Sequence, residues 1–159
     1  MHPAPSIILF STSSGAGYGL LFLLGLAAPL GLIPAGRWLG FSALALALGA
    51  VTFGLLASTF HLGHPERTWR AVSQWRSSWL SREGVVALIT YVPALIFAAG
   101  WVLLERNGGW FAPFGLLAAI GAAATVWCTA MIYASLKTVR EWREPLVPPL
   151  YFAFALMSG

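Results

Sequence analysis

Charge is what this 159-residue sequence has least of: Lys, Arg, Asp and Glu together make up 9% of it, against roughly a quarter in a soluble domain. No acid or base occurs in residues 1–36, 38–60, 84–104 or 107–136. With 58% hydrophobic residues and a mean hydropathy of +0.79, a water-soluble fold is excluded. Cysteine is nearly absent too. The single Cys128 leaves no intrachain disulfide and no thiolate metal site. There is no Walker loop, no GxGxxG after a strand and no nucleophile elbow. The interiors of the first, third and fourth apolar stretches lack histidine, which removes an axial haem pair on facing helices. Acids are missing from the middle of every stretch, where the relays of transporters and proton channels usually lie.

Each of the four uncharged stretches supplies the ~20 apolar residues that a helix needs to cross the hydrocarbon core. A fifth run, 145–159, begins in the same way and stops short of a full span. Alternating segments of ~10 residues, the mark of a membrane barrel, do not occur. Helices satisfy their own backbone groups, so the expectation is an all-α integral membrane protein. It forms one membrane domain over 1–159: a four-helix bundle with spans at about 8–33, 38–62, 83–104 and 114–136, plus the start of a fifth at 147–159. The N-terminal stretch has no Lys or Arg to make the positive region of a signal peptide, and is read as the first span.

Within span one, Ser11, Thr12, Ser13, Ser14, Gly15, Gly17, Tyr18 and Gly19 form a small and hydroxyl-rich run. Gly15 and Gly19 make a GxxxG pair, and close helix packing is the expected use, with ligand binding as the other reading. Trp38, Trp69, Trp75, Trp79, Trp110 and Trp142 sit between spans or near their ends, as in an aromatic belt at headgroup level. Between spans two and three, Trp69, Val72, Ser73, Arg76, Trp79 and Leu80 share a face if that segment is a short interfacial helix. An irregular loop anchored by its tryptophans is the alternative.

Polar residues gather in 60–84, FHLGHPERTWRAVSQWRSSWLSREG, which holds two of the three histidines, four of the nine basic residues and two of the five acids. His61 falls at the end of span two and Glu83 at the start of span three, so antiparallel neighbours would bring both to one side at similar depth. An imidazole and a carboxylate placed there suit hydrogen bonding to a polar ligand or taking protons from it. A plainer account also exists for each. Ser81 would cap span three and leave Glu83 in its first turn, where the helix dipole favours a carboxylate; His61 would be an ordinary interfacial polar residue. His61 and His64 make an HxxH pair, but Gly63 and Pro65 break its geometry and no further donors complete a shell, so no metal site is expected.

Basic residues are divided unevenly. Arg67, Arg70, Arg76, Arg82, Lys137, Arg140 and Arg143 fall on the island side, and Arg37 and Arg106 on the other. The net charge of +4 therefore reflects topology, anionic lipid or a docked partner rather than nucleic acid. By the positive-inside rule the island faces the cytoplasm.

Three blocks in order, HPAPSIILFSTSSGAGYG, the island itself and MIYASLKTVREWREPLVPP, resemble the dimethyl sulfoxide reductase membrane-anchor family. That family belongs to the quinone-interacting superfamily that includes the polysulfide reductase type. Its members typically have eight spans, so the chain looks like an N-terminal half. The resemblance implies a multi-pass subunit of the cytoplasmic (inner) membrane. Such a subunit anchors a molybdopterin catalytic subunit and an iron–sulfur electron-transfer subunit, and oxidises menaquinol without haem or metal of its own. It matches the family's quinol-associated histidine to His61 in HLGHP and its glutamate to Glu83 in SREG. His64 and Tyr133 join them as quinol-site candidates, with Lys137 and Trp142 as lining or docking residues. The partner would dock on Arg67, Arg70, Arg76, Arg82, Lys137 and Arg140. Relatives of this type are commonly exported, which opposes the cytoplasmic placement read from the basic loops. A purely structural anchor, and a small transporter or proton channel, remain the rival readings.

Overall fold

The computed structural model describes residues 5–59, 73–136, 142 and 144–159. These form five α-helices: α1 (Pro5–Ala27), α2 (Arg37–Thr59), α3 (Trp79–Leu104), α4 (Ala112–Ala134) and α5 (Val147–Ser158). A 3₁₀ turn, Gly109–Phe111, leads into α4, and there is no strand among the described residues. The first four helices are long and apolar enough to cross a membrane, whereas α5 is shorter. The expected four-span bundle with a fifth, partial helix is thus the observed architecture.

Local chemistry moves two helix ends from their expected places. α1 stops at Ala27, not near residue 33, because Pro29 has no amide hydrogen and disfavours helical geometry in the residue before it. The chain then turns through Gly31 at φ 75°, with the Leu32 amide donating to the Ala27 carbonyl at 3.0 Å. α3 begins at Trp79 because Ser78 is its N-cap: extended at φ −120° and ψ 127°, it accepts the Ser81 amide at 3.4 Å. Ser81 is therefore not the cap, and Glu83 lies beyond the first turn.

α1 is the central element. It packs on α2, α4 and α5, while α3 closes against α2 and α4. Gly54 lies against Phe10 and Ser14, and Gly17 against Ala47 and Val51, which makes α1 and α2 an antiparallel pair. The interior is rich in small residues, among them Ala47, Ala87, Ala94, Ala118, Ala122 and Ala155, set around a few large ones such as Leu21, Phe97 and Trp101. Large ones such as Phe41, Leu46, Phe53, Leu88, Ile89 and Ile120 point outwards. In lipid this arrangement is stable, because hydrocarbon solvates the outer face and small residues let the helices approach closely. A Cβ at Gly19 would collide with the Ala155 backbone of α5.

The ends of α1, α2, α3, α4 and α5 at Pro5, Thr59, Trp79, Ala134 and Val147 lie on the island face. On the opposite face Arg37 pairs with Glu105 at 3.1 Å and donates to the Val102 carbonyl at 3.1 Å, and Asn107 donates to the Ile33 carbonyl at 2.9 Å. Of the segment considered for a short interfacial helix, 69–72 lies outside the described residues, whereas 74–78 is not helical and Trp79 and Leu80 already belong to α3, capped by Ser78. From Gln74 to Ser77 the chain is a turn, in which the Gln74 carbonyl accepts the Ser77 and Ser78 amides at 3.0 Å each.

Candidate functional site

Glu83 is 3% exposed, turned into the bundle between α3 and α4. Thr129 of α4 donates its hydroxyl to Oε1 of Glu83. The same hydroxyl lies 3.1 Å from the Thr125 carbonyl, so one hydrogen faces two acceptors. If the carboxyl carries a proton, donation can run from Glu83 to Thr129 to Thr125; if it does not, the Thr129 hydrogen turns to the carboxylate. Rotation of that one hydroxyl therefore keeps the carboxyl hydrogen-bonded in either protonation state. No ion pair to Glu83 is found among the described residues. Glu83 lies five residues after the Ser78 cap, beyond the first turn in which the helix dipole acts, so that plainer account is set aside. Ionisable groups held inside a membrane bundle mark ligand or proton pathways.

Thr129 also faces a cavity of about 360 Å³ on the island-side half of the bundle, within the ~300–1,000 Å³ typical of small-molecule sites. α1 contributes Ser11, Thr12, Ser14, Gly15 and Tyr18; α4 contributes Val126 and Thr129; α5 contributes Tyr151, Phe154, Ala155 and Ser158. The hydroxyl-rich run of α1 therefore divides. Gly17 and Gly19 pack against helices, but a Cβ at Gly15 would meet nothing within 4 Å, because that position opens on the cavity. Apolar walls with a few convergent hydroxyls suit a flat, mostly apolar ligand that carries oxygen atoms.

Near the cavity, Tyr133 brings α1, α4 and α5 together. Its hydroxyl is 3.3 Å from Ser11 Oγ, its ring stacks on Tyr151 at 5.4 Å, and Trp142 meets it edge-on at 5.0 Å. Tyr133 and Trp142, carried over from one sequence block, are thus in contact beside the site. Arg82 has a local role: it donates to the Trp75 and Arg76 carbonyls at 3.0 and 2.8 Å and lies over the Trp79 ring at 4.3 Å. Arg76 sits over Trp75 at 5.4 Å. His61, His64, Arg67, Arg70, Lys137 and Arg140 lie outside the described residues. Among the described residues no group of three or more His, Cys, Asp or Glu is placed to hold a metal.

Sequence reasoning missed Thr129, Thr125 and Tyr151 as members of the site, and placed Tyr18 only in the run of span one whose expected use was helix packing, with ligand binding as the other reading. One signal was available. Thr125 and Thr129 are spaced i, i+4 on the Ala-rich fourth span, so they share a face.

Comparison with known proteins agrees with this architecture. A relative from Allochromatium vinosum, a sulfite dehydrogenase subunit, is 38% identical over 178 aligned positions. The alignment covers 100% of this chain and 53% of that protein, so the chain spans about half the length of the curated relative it matches. No solved structure matches. The sequence model for the DMSO reductase anchor subunit (DmsC) matches residues 1–159. With that match running from the first residue to the last and four helices of spanning length beneath it, the chain belongs to the DMSO reductase anchor subunit family and is a multi-pass membrane protein.

Proposed function

We propose that the chain acts in the inner membrane as the anchor of a molybdoenzyme complex, and that its island-side cavity binds menaquinol for oxidation. The observation that carries this reading is the buried Glu83 carboxyl, bonded to a hydroxyl that itself lines the cavity. Oxidation of a quinol releases two electrons and two protons. One proton passes to Glu83 beside Thr129, and the second goes to His61, the residue that the family resemblance pairs with it. The electrons leave for an iron–sulfur subunit docked over the basic face, where Arg67, Arg70, Arg76, Arg82, Lys137 and Arg140 meet an acidic surface, and onward to a molybdopterin subunit.

The relative's name supports a second reading, in which electrons run the other way. A sulfite dehydrogenase takes electrons from sulfite, and an anchor serving such an enzyme would reduce the quinone. Glu83 and His61 would then supply the protons they otherwise accept. Assays of the complete complex separate the two: menaquinol oxidation with dimethyl sulfoxide as acceptor, against menaquinone reduction with sulfite as donor.

Either direction predicts that Glu83→Gln and His61→Ala slow quinone chemistry by about 100-fold or more, as expected for loss of a proton-transferring group, while the subunits still assemble. Wild-type rates in both variants would leave a purely structural anchor. That rival expects charge reversal at Arg67, Arg70 and Arg76 to abolish assembly, with no kinetic effect from Glu83 or His61.

A further inference from the structure

The cavity wall offers polar atoms of one kind. Among the described residues no Lys, Arg, His, Asn, Gln or Trp lines it, so the side-chain polar atoms of the lining are all hydroxyl oxygens. A hydroxyl has one hydrogen and two lone pairs, and most of these hydrogens are already committed within the chain. Thr12 donates to the Ile8 carbonyl at 2.8 Å, Ser14 to the Phe10 carbonyl at 2.6 Å and Ser158 to the Phe154 carbonyl at 2.7 Å. Each is the bond to the preceding turn that Ser and Thr make inside helices. The Thr129 hydrogen stays with Glu83 or the Thr125 carbonyl. The Tyr18 hydroxyl is enclosed beside Thr125, so Tyr18 lines the wall with its ring. Backbone amides add no donors, because the lining residues lie beyond the first turns of α1, α4 and α5, where each amide bonds the carbonyl one turn back. Only at the island end are the hydrogens freer: Ser11 and Tyr133 share one bond in which either donates, and Tyr151 stacks on Tyr133.

We infer that the cavity selects its ligand by hydrogen-bond polarity: it holds an aromatic ring that carries hydroxyl donors and releases the same ring once those hydrogens are gone. A quinol brings two O–H hydrogens to a wall of lone pairs that can accept them. A quinone brings carbonyl oxygens only, and two acceptors that face each other form no bond. To meet the quinone, Thr12, Ser14 or Ser158 would have to withdraw its hydrogen from the helix, which costs about as much as the new bond returns. Ser11 and Tyr151 can turn towards either form, so the preference amounts to one or two hydrogen bonds and is not an exclusion. Loss of the two hydrogens thus turns a ligand that the wall binds into one that it does not, and the product leaves without any change in the protein. In the opposite direction the site would retain its own product, so this selectivity favours quinol oxidation over the sulfite-driven reading.

The selectivity rests on the quinol reading of the cavity, and its test keeps the two apart. Binding is measured by calorimetry on the oxidised, assembled complex, with no electron donor or acceptor added. Three ligands of similar shape serve as probes: dimethylnaphthol, its methyl ether and dimethylnaphthoquinone. The naphthol is expected to bind about three- to tenfold more tightly than either of the others, the effect of one neutral hydrogen bond. In a combined Thr12→Val, Ser14→Ala and Ser158→Ala variant the naphthol loses that advantage, while quinone binding stays within twofold of wild type. A quinone that binds the wild-type complex as tightly as the naphthol overturns the selectivity, and that comparison needs no variant to fold. Gly15→Leu, which fills the cavity, reports on the underlying reading. Weaker binding of all three probes there places them in this cavity; binding unchanged for all three defeats the quinol reading, and the selectivity falls with it.

Discussion

The two halves of the bundle are made from the same four long helices and are used differently. On the side away from the island, Phe97 and Trp101 are fully buried and meet edge-on at 5.5 Å. Phe111 fills the space beside Gly100, and Gly25 lies against Gly115 and Ala119. The island-side half instead holds a cavity, a buried carboxyl and a row of hydroxyls. Packing in lipid depends on close contact, since no hydrophobic force draws helices together there. A half that gives up contact for a cavity loses stability that the tightly packed half must offset. The difference teaches that the first half holds the helices in place and the second does the chemistry.

Substitutions in each half break or sharpen that contrast. The largest effect on folding is expected from Phe97→Ala, which empties the packed half; a buried aromatic truncated to alanine costs about 3–5 kcal/mol. Thermal unfolding of the purified complex should show a clear drop, with the KM for quinol little changed in whatever assembles. A variant that melted normally would show that the packed half is not the scaffold. Next in size, Gly15→Leu places a side chain into open space. It should raise the KM for dimethylnaphthoquinol about tenfold through lost ligand volume while leaving the melting temperature near wild type, so collapse of the fold would contradict the cavity. Thr129→Val removes the hydroxyl that joins Glu83 to the cavity, and a slower turnover restored by Thr129→Ser identifies the hydroxyl rather than the shape as the cause. The smallest effect belongs to Arg37→Gln. Its ion pair with Glu105 is half exposed on both sides, and such pairs contribute about 0–1 kcal/mol, so unfolding should shift barely at all.

Much of the packed half was legible in the sequence, and less of the site was. Uncharged runs long enough to span a bilayer located all four helices, since backbone satisfaction in lipid permits little else. Helix ends were less certain where short-range chemistry overrides hydropathy: Pro29 shortens α1, and Ser78 starts α3 a full turn before Glu83. Glu83 stood out because an acid near a span end is conspicuous. Thr129 did not, and the hydroxyl run of α1 was legible only as packing or ligand binding, because a hydroxyl inside an apolar span suits either use and only its partners decide between them. The GxxxG pair shows the same limit. Gly19 is a packing residue and Gly15, four residues earlier on the same row, opens onto the cavity, because α5 covers one and not the other.

The central claim is that the island-side cavity is where the quinone ring binds. The most direct test is to photolabel the assembled complex with an azido-naphthoquinone and map the modified residues by mass spectrometry. Labels on Ser11 to Tyr18 of α1, Val126 to Thr129 of α4 and Tyr151 to Ser158 of α5, diminished by excess dimethylnaphthoquinone, are the predicted result. Competable labels confined to the opposite half, around Trp101 and Phe111, would contradict the account.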